Sequence, residues 1–168
     1  MAMTGRRTVL ATLAFWAAGV AKPHADDAAG RFIEAAYASA LFQAQISRIA
    51  AAKDTRPGIK ALAERVRDFR TAQLPELARL AETAGIQVRD TLDLELRSIV
   101  DNIEPLDYLA LSRRYAEVET QALGREIASY EEAGRSQTPA IREYVATTLD
   151  RLRDLDGAAR AELAAVAP

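Results

Sequence analysis

The chemistry open to this chain is bounded by what it lacks. Its 168 residues include no cysteine and a single histidine, His24. Disulfides, thiolate metal sites, a thiol nucleophile and a lipid-bearing cysteine are therefore excluded, and a catalytic triad would have no histidine base in the body of the chain. The sequence contains no glycine-rich phosphate loop and no Gly-x-Ser-x-Gly turn. What remains is oxygen. Glu34, Glu64, Asp68, Glu117, Glu119, Glu126, Asp150 and Asp154 could hold a hard cation or move protons if several met at one point. Di-iron helical bundles add a Glu-x-x-His motif on two helices, and that motif does not occur here. Glu126 and the Glu131-Glu132 pair are the acid–base candidates, but acids recurring along helices are ordinarily solvated faces, and these eight fall mostly beside the apolar stripes. Tyr108, Tyr115 and Tyr130 are spaced for one side of one helix, which suits half-buried packing with the hydroxyls at the rim. No catalytic, cofactor-binding or metal-binding residue is assigned, no cofactor is expected, and the chain does not read as an enzyme.

The elements that would position these side chains are helical. About half the residues are apolar, with few aromatics and little glycine or proline, a balance that favours an all-α fold. From Arg31 to Lys53, Ile33, Tyr37, Ala40 and Ala44 form one stripe, flanked by Phe32, Ala36, Gln43 and Ile46. After the break at "KDTRPG", a second helix starts near Pro57 and carries Ile59, Leu62, Val66, Phe69, Leu77, Leu80 and Ala84, with Gln73 in the one gap. Pro75 should kink it, and Gly85 suits a left-handed stop. A short helical candidate, "TLDLELRSIV", precedes a third long helix from about Asp107 to Ala133, striped by Leu111, Tyr115, Val118 and Ala122 and then by Leu123, Ile127 and Tyr130. The fourth opens with Thr138 as N-cap and Pro139 at the first helical position, and repeats Ile141, Val145, Thr148, Leu152, Leu155, Ala159, Leu163 and Val166. Gly157 is its internal weak point.

Short links make helices one and two, and three and four, antiparallel pairs. A 27-residue helix is about 40 Å long. The middle link, with roughly ten helical and ten extended residues, reaches about 48 Å. It can therefore cross the whole length, which predicts a four-helix bundle of two antiparallel hairpins joined by a long crossover with a short helix. An up-down-up-down bundle with a bulky loop is the alternative.

The first 25 residues read as a signal peptide, leaving 26–168 as the bundle domain. A basic start is followed by about 13 apolar residues from Val9 to Ala21, short of the roughly 20 that span a bilayer. "GRRTVL" resembles a twin-arginine export signal through Arg6 and Arg7, although Gly5 departs from its usual Ser or Thr; ordinary secretion fits as well. Cleavage after Ala21 places Gly19 and Ala21 in the small-residue positions, whereas cleavage after Ala25 leaves the cleaner acidic start. An uncleaved anchor is the alternative. Either export route delivers the chain to the periplasm or beyond, with no stable membrane insertion after cleavage. The 22 basic residues against 24 acidic ones are interleaved rather than clustered, and Arg6, Arg7 and Lys22 all fall in the leader. A nucleic-acid partner is not expected.

The segments "RFIEAAYASALFQAQISRIAAAK", "GIKALAERVRDF" and "ATTLDRLRDL" resemble a bacterial family of exported proteins grouped as a domain of unknown function, ferritin-like in fold and often labelled outer-membrane or periplasmic. The resemblance implies a Glu at the position of Gln43, an Asp-His pair at Asp68-Phe69 and a His at Leu155, with a further histidine in helix three. Only Asp68 is retained. Phe69 and Leu155 lie on apolar stripes, where burial stabilises by roughly 1.5–3 kcal/mol each, so the interior is expected to be hydrocarbon throughout. The leading expectation is an exported, non-enzymatic bundle with a structural, stress-related or protein-interaction role in the envelope. Its partner would be an unidentified protein or a second copy docked through an Ala-rich face. A ferritin-like metal or redox protein with carboxylate ligands only, and a small-ligand carrier with a pocket near Pro75, are the alternatives.

Overall fold

In the computed structural model, residues 24–167 are described. They form five helices with no strand among them: α1 His24–Lys53, α2 Pro57–Thr83, α3 Leu94–Ile103, α4 Tyr108–Ala133 and α5 Pro139–Val166. Arg6, Arg7 and Ala21, on which the export reading rests, lie outside the described residues. Ala25, the other candidate cleavage point, falls in the first turn of α1.

The boundaries follow local chemistry. Pro57 and Pro139 occupy first-turn positions, where a missing N–H breaks no helical bond. Gly85 takes φ +69° just past α2, its N–H donating to Glu82 O (3.0 Å) while Ile86 N–H donates to Ala81 O (2.9 Å). These are the paired bonds of a Schellman stop, which needs a residue without a Cβ at the left-handed position. Asp93 caps α3 by accepting from Leu96 N at 2.9 Å. α1 starts seven residues before the expected Arg31, because the Ala- and Asp-rich stretch ahead of it is compatible with a helical first turn even without an apolar stripe. Pro75 is accommodated within a continuous α2.

Helices α1 and α2 pack along each other, as do α4 and α5; α1 also packs on α4 and α2 on α5, closing a ring of four. Contacts between α1 and α4 run in opposite senses: Phe32 meets Tyr130, Gln43 meets Glu126, and Ser47 meets Tyr115. α4 is therefore antiparallel to α1 and parallel to α2. The connection between α2 and α4 must then return along the length of the molecule, and it does. Ile86 lies beside Gly30 near the start of α1, Tyr37 donates a hydrogen bond to Asp90, and Lys53 at the end of α1 pairs with Asp107 at 3.2 Å. α3, inside this connection, packs on α1 and α4.

The inward face of α2 differs from expectation. Ile59, Leu62, Ala63, Val66, Arg70, Gln73, Leu77 and Ala81 are buried, whereas Phe69 and Leu80 are only half-buried and Ala84 is exposed. At about 100° per residue, Arg70 lies about 40° from Val66 around the helix and Phe69 about 60° on the other side. The whole length of the helix fixes the mean direction of its buried face, and Arg70 is nearer that direction than the apolar neighbour chosen from hydrophobicity alone. Leu155 is fully buried, as its stripe requires.

Candidate functional site: a buried ion pair and its amide cradle

The interior is not hydrocarbon throughout, which corrects the expectation from the apolar stripes. Arg70 from α2 has no solvent exposure and forms a two-pronged pair with Glu126 of α4. Nη2 donates to Glu126 Oε2 at 2.6 Å and Nη1 to Oε1 at 3.0 Å, the planar geometry that makes a guanidinium–carboxylate pair strong and directional. Glu126 is thus no solvated acid. It falls on the stripe Tyr115, Glu119, Ala122, Glu126, Tyr130, all of it buried, and a stripe chosen by hydrophobicity alone passes over its two acids.

Two amides complete the cradle. Gln43 of α1 and Gln73 of α2 turn their carbonyl oxygens to the guanidinium, each at 2.6 Å, as they must because arginine offers only donors. Their NH₂ groups are then left to donate to other acceptors. Gln43 Nε2 donates to Glu126 Oε2 and to Ser39 Oγ, both at 2.8 Å. Gln73 Nε2 donates to the hydroxyls of Tyr130 (3.0 Å) and Tyr144 (2.8 Å). Ser39 Oγ also donates to Glu126 Oε2 at 3.1 Å. Phe69 flanks the pair, its ring centroid 5.1 Å from the Arg70 guanidinium carbon, a cation–π distance. Phe69 is therefore a neighbour of the charge rather than a core plug.

The tyrosines are also corrected. Tyr115 and Tyr130 are fully buried with their hydroxyls inside, Tyr115 sharing a 3.0 Å hydrogen bond with Ser47, while Tyr108 is 72 % exposed. Burial, reinforced by the neighbouring Glu126 carboxylate, raises the Tyr130 hydroxyl far above the ordinary tyrosine range. Burial likewise raises Tyr115, followed by the nearby Glu119 charge.

Of the other acids, Asp68 is exposed and pairs with its neighbour Arg67 at 2.8 Å. Glu34, Glu117, Glu131, Glu132, Asp150 and Asp154 are also on the surface, and Glu64 is half-buried. Asp54 is buried and accepts from Ser112 Oγ at 2.9 Å, fastening the end of α1 to the start of α4. Glu119 is fully buried with neither carboxyl oxygen hydrogen-bonded. Among the described residues, no group of three or more His, Asp or Glu side chains is arranged to hold a metal ion. The Glu126 carboxylate is already committed to Arg70.

Sequence reasoning named Gln43, Gln73 and Glu126 singly, Gln43 beside an apolar stripe, Gln73 as a gap in one and Glu126 as a solvated acid, but did not join them and did not name Arg70. The available signal was the face itself: on α2 and α4 an arginine and a glutamate each sit where a core residue belongs, an arrangement tolerated only when the two meet.

An all-helical domain with a charged pair sealed at its centre is the class that fold and site define. The pattern of the domain of unknown function DUF4142 matches residues 16–161, and the chain belongs to that family. No curated protein and no solved structure matches the chain.

Proposed function

We propose that this protein is an exported, non-enzymatic member of its family with a ferritin-like four-helix arrangement, whose central cation is its own arginine and which acts through its surface. The observation that carries this reading is the complete coordination of the Arg70 terminal nitrogens by Glu126, Gln43 and Gln73. Gln43 and Phe69, two of the positions where the family resemblance implies an acid and a histidine, both contact that guanidinium. A fixed positive charge thus stands where a ligand set would otherwise gather, and the Glu126, Gln43 and Gln73 oxygens are already engaged by it. The return of the α2–α4 connection along α1 supports the ferritin-like topology. Export rests on the leader sequence, and the absence of any helix among the described residues long and apolar enough to cross a membrane is compatible with it. The interaction role, with an envelope protein or a second copy as partner, rests on the exposed Leu94, Tyr108 and Leu109.

The deciding experiment is metal analysis of the purified protein after incubation with ferrous or manganous ion and desalting. Retention of less than a tenth of an equivalent is expected, and near-stoichiometric metal overturns the reading. Fractionation of the expressing cell with N-terminal sequencing tests export: intact Arg6 and Arg7 on cytoplasmic protein would refute it. Crosslinking in the periplasm, followed by mass spectrometry, tests the surface role.

A second reading, a small-ligand carrier, is favoured by one feature. A groove of about 410 Å³ runs between α1 and α4 under α3, walled by Phe42, Leu96, Ile99 and Tyr130, with Ser39 and Glu126 also in its lining. It lies away from Pro75, where such a pocket was expected. A thermal-shift screen of lipids and metabolites, repeated on a Phe42→Trp variant that fills the groove, distinguishes this reading.

A further inference from the structure

Among the described residues, Glu119 is the one buried acid with both carboxyl oxygens unpartnered. Its side chain lies in α4 two turns before Glu126, has no solvent exposure, and neither oxygen has a hydrogen-bond partner. A carboxylate in that state would be among the costliest groups a core can hold. The only other orphan among these central charges is complementary to it: Arg70 Nε–H has no acceptor.

The charge count then decides what Glu119 is. The charged and titratable groups around it are Arg70 from α2 and Glu126 and Tyr115 from its own helix. The buried residues of α1 from Ala40 to Ala51 and all those of α5 are uncharged, with Gln43, Ser47 and Thr148 their polar members. Arg70 is already neutralised by Glu126, so an ionised Glu119 would leave this group of three with one negative charge in excess. A metal ion would need room and further oxygen donors. Glu119 is absent from the walls of four of the best-formed grooves among the described residues, and no group of three such side chains that could hold a metal ion includes it.

We propose that Glu119 is a proton-binding site of the folded interior, and that the bound proton keeps the Arg70–Glu126 pair exclusive. With the proton bound, the centre is neutral and Arg70 serves Glu126 alone. When the proton leaves, a second carboxylate competes for the same guanidinium through its free Nε–H, and α4 must shift to let it do so. The interior thereby responds to alkaline pH through one carboxyl group. Burial pushes this acid up to about 8 despite the pull of Arg70, with Glu126 adding to the rise.

The sign of the stability effect follows. Between the ordinary glutamate range and about pH 8, the folded state holds one more proton than the unfolded chain, so stability falls as pH rises through that window and levels off above it. The test is a carbon-13 titration of the wild-type protein labelled at the glutamate side-chain carboxyl. One resonance should titrate near pH 8, and it should vanish in Glu119→Gln. The same variant should lose the decline in melting midpoint between about pH 5 and pH 8. If every glutamate resonance titrates in the ordinary acidic range, the proposal is overturned, whether or not the variant folds. If the variant folds and keeps the wild-type pH slope, it is overturned as well.

Discussion

Arg70 is the residue whose surroundings most constrain the rest. Its guanidinium is desolvated, so removing a partner costs more than forming the pair gains. Arg70→Met should destabilise the fold by about 3–5 kcal/mol in urea titrations, because Glu126 would stay buried without its counter-charge. Gln43→Glu is the more revealing change. Gln43 Nε2 now donates to Glu126 Oε2 at 2.8 Å, and an acid there would set two carboxylates against one another on a single arginine. One of them must then hold a proton, so the variant should be destabilised at neutral pH and recover as pH falls toward 5. Melts of variant and wild type across that range check it, because Glu119 already gives the wild type a slope there; a variant slope no steeper than the wild type's would show that Arg70 can satisfy two acids at once. Arg70 was not legible from hydrophobicity, and Glu126 was legible only as an acid on a solvated face, because a charged residue on a core face scores as an interruption until its partner on another helix is known.

At the scale of the element, the helices carry their own weak points. Gly157 lies in α5 on the exposed side, with nothing within 4 Å of where a Cβ would sit. Gly157→Ala should raise stability by about 1 kcal/mol through helix propensity alone, read as a shift in the urea midpoint. Tyr108 begins α4 at φ +50°, a conformation unfavourable for an aromatic side chain, and it is largely exposed. Tyr108→Gly should therefore be neutral or stabilising, by up to about 1 kcal/mol, even though it removes a large apolar group. The first part of the α2–α4 connection is held by the bond from Tyr37 to Asp90; burial, and after it this bond, raises the Tyr37 hydroxyl to about 12. Tyr37→Phe should speed amide exchange in residues 86–92 while leaving the cores of α4 and α5 protected. Equal protection throughout would show that Ile86 and Leu92 suffice to hold the strap.

Across the whole molecule, one ring of four helices carries both the hydrocarbon and the charge. Edge-to-face packing of Phe32 on Tyr130, with centroids 5.0 Å apart, sits beside the hydroxyl network of Gln73, Tyr130 and Tyr144. Because the central cation is covalently part of α2, dialysis against a chelator should leave the melting midpoint where it was, whereas a fold assembled around a bound ion loses stability when the ion is stripped. A chelator-induced drop would mean that a second cation is structural.

Sequence by itself determined the helices, since periodicity and end signals are local: Pro57, Gly85 and Pro139 mark boundaries through backbone chemistry that needs no tertiary partner. It also determined the stripe of α5, where apolar residues recur at nearly every inward position, and the length that lets the middle connection cross. Only the tertiary structure decided that Arg70 rather than Phe69 faces inward and that Glu126 is its partner rather than a solvated acid. It alone left Glu119 with no partner for its charge. Those outcomes depend on which faces of α1, α2 and α4 meet at one level, and the free energy of a buried charge is set by the groups around it rather than by its place in its own helix.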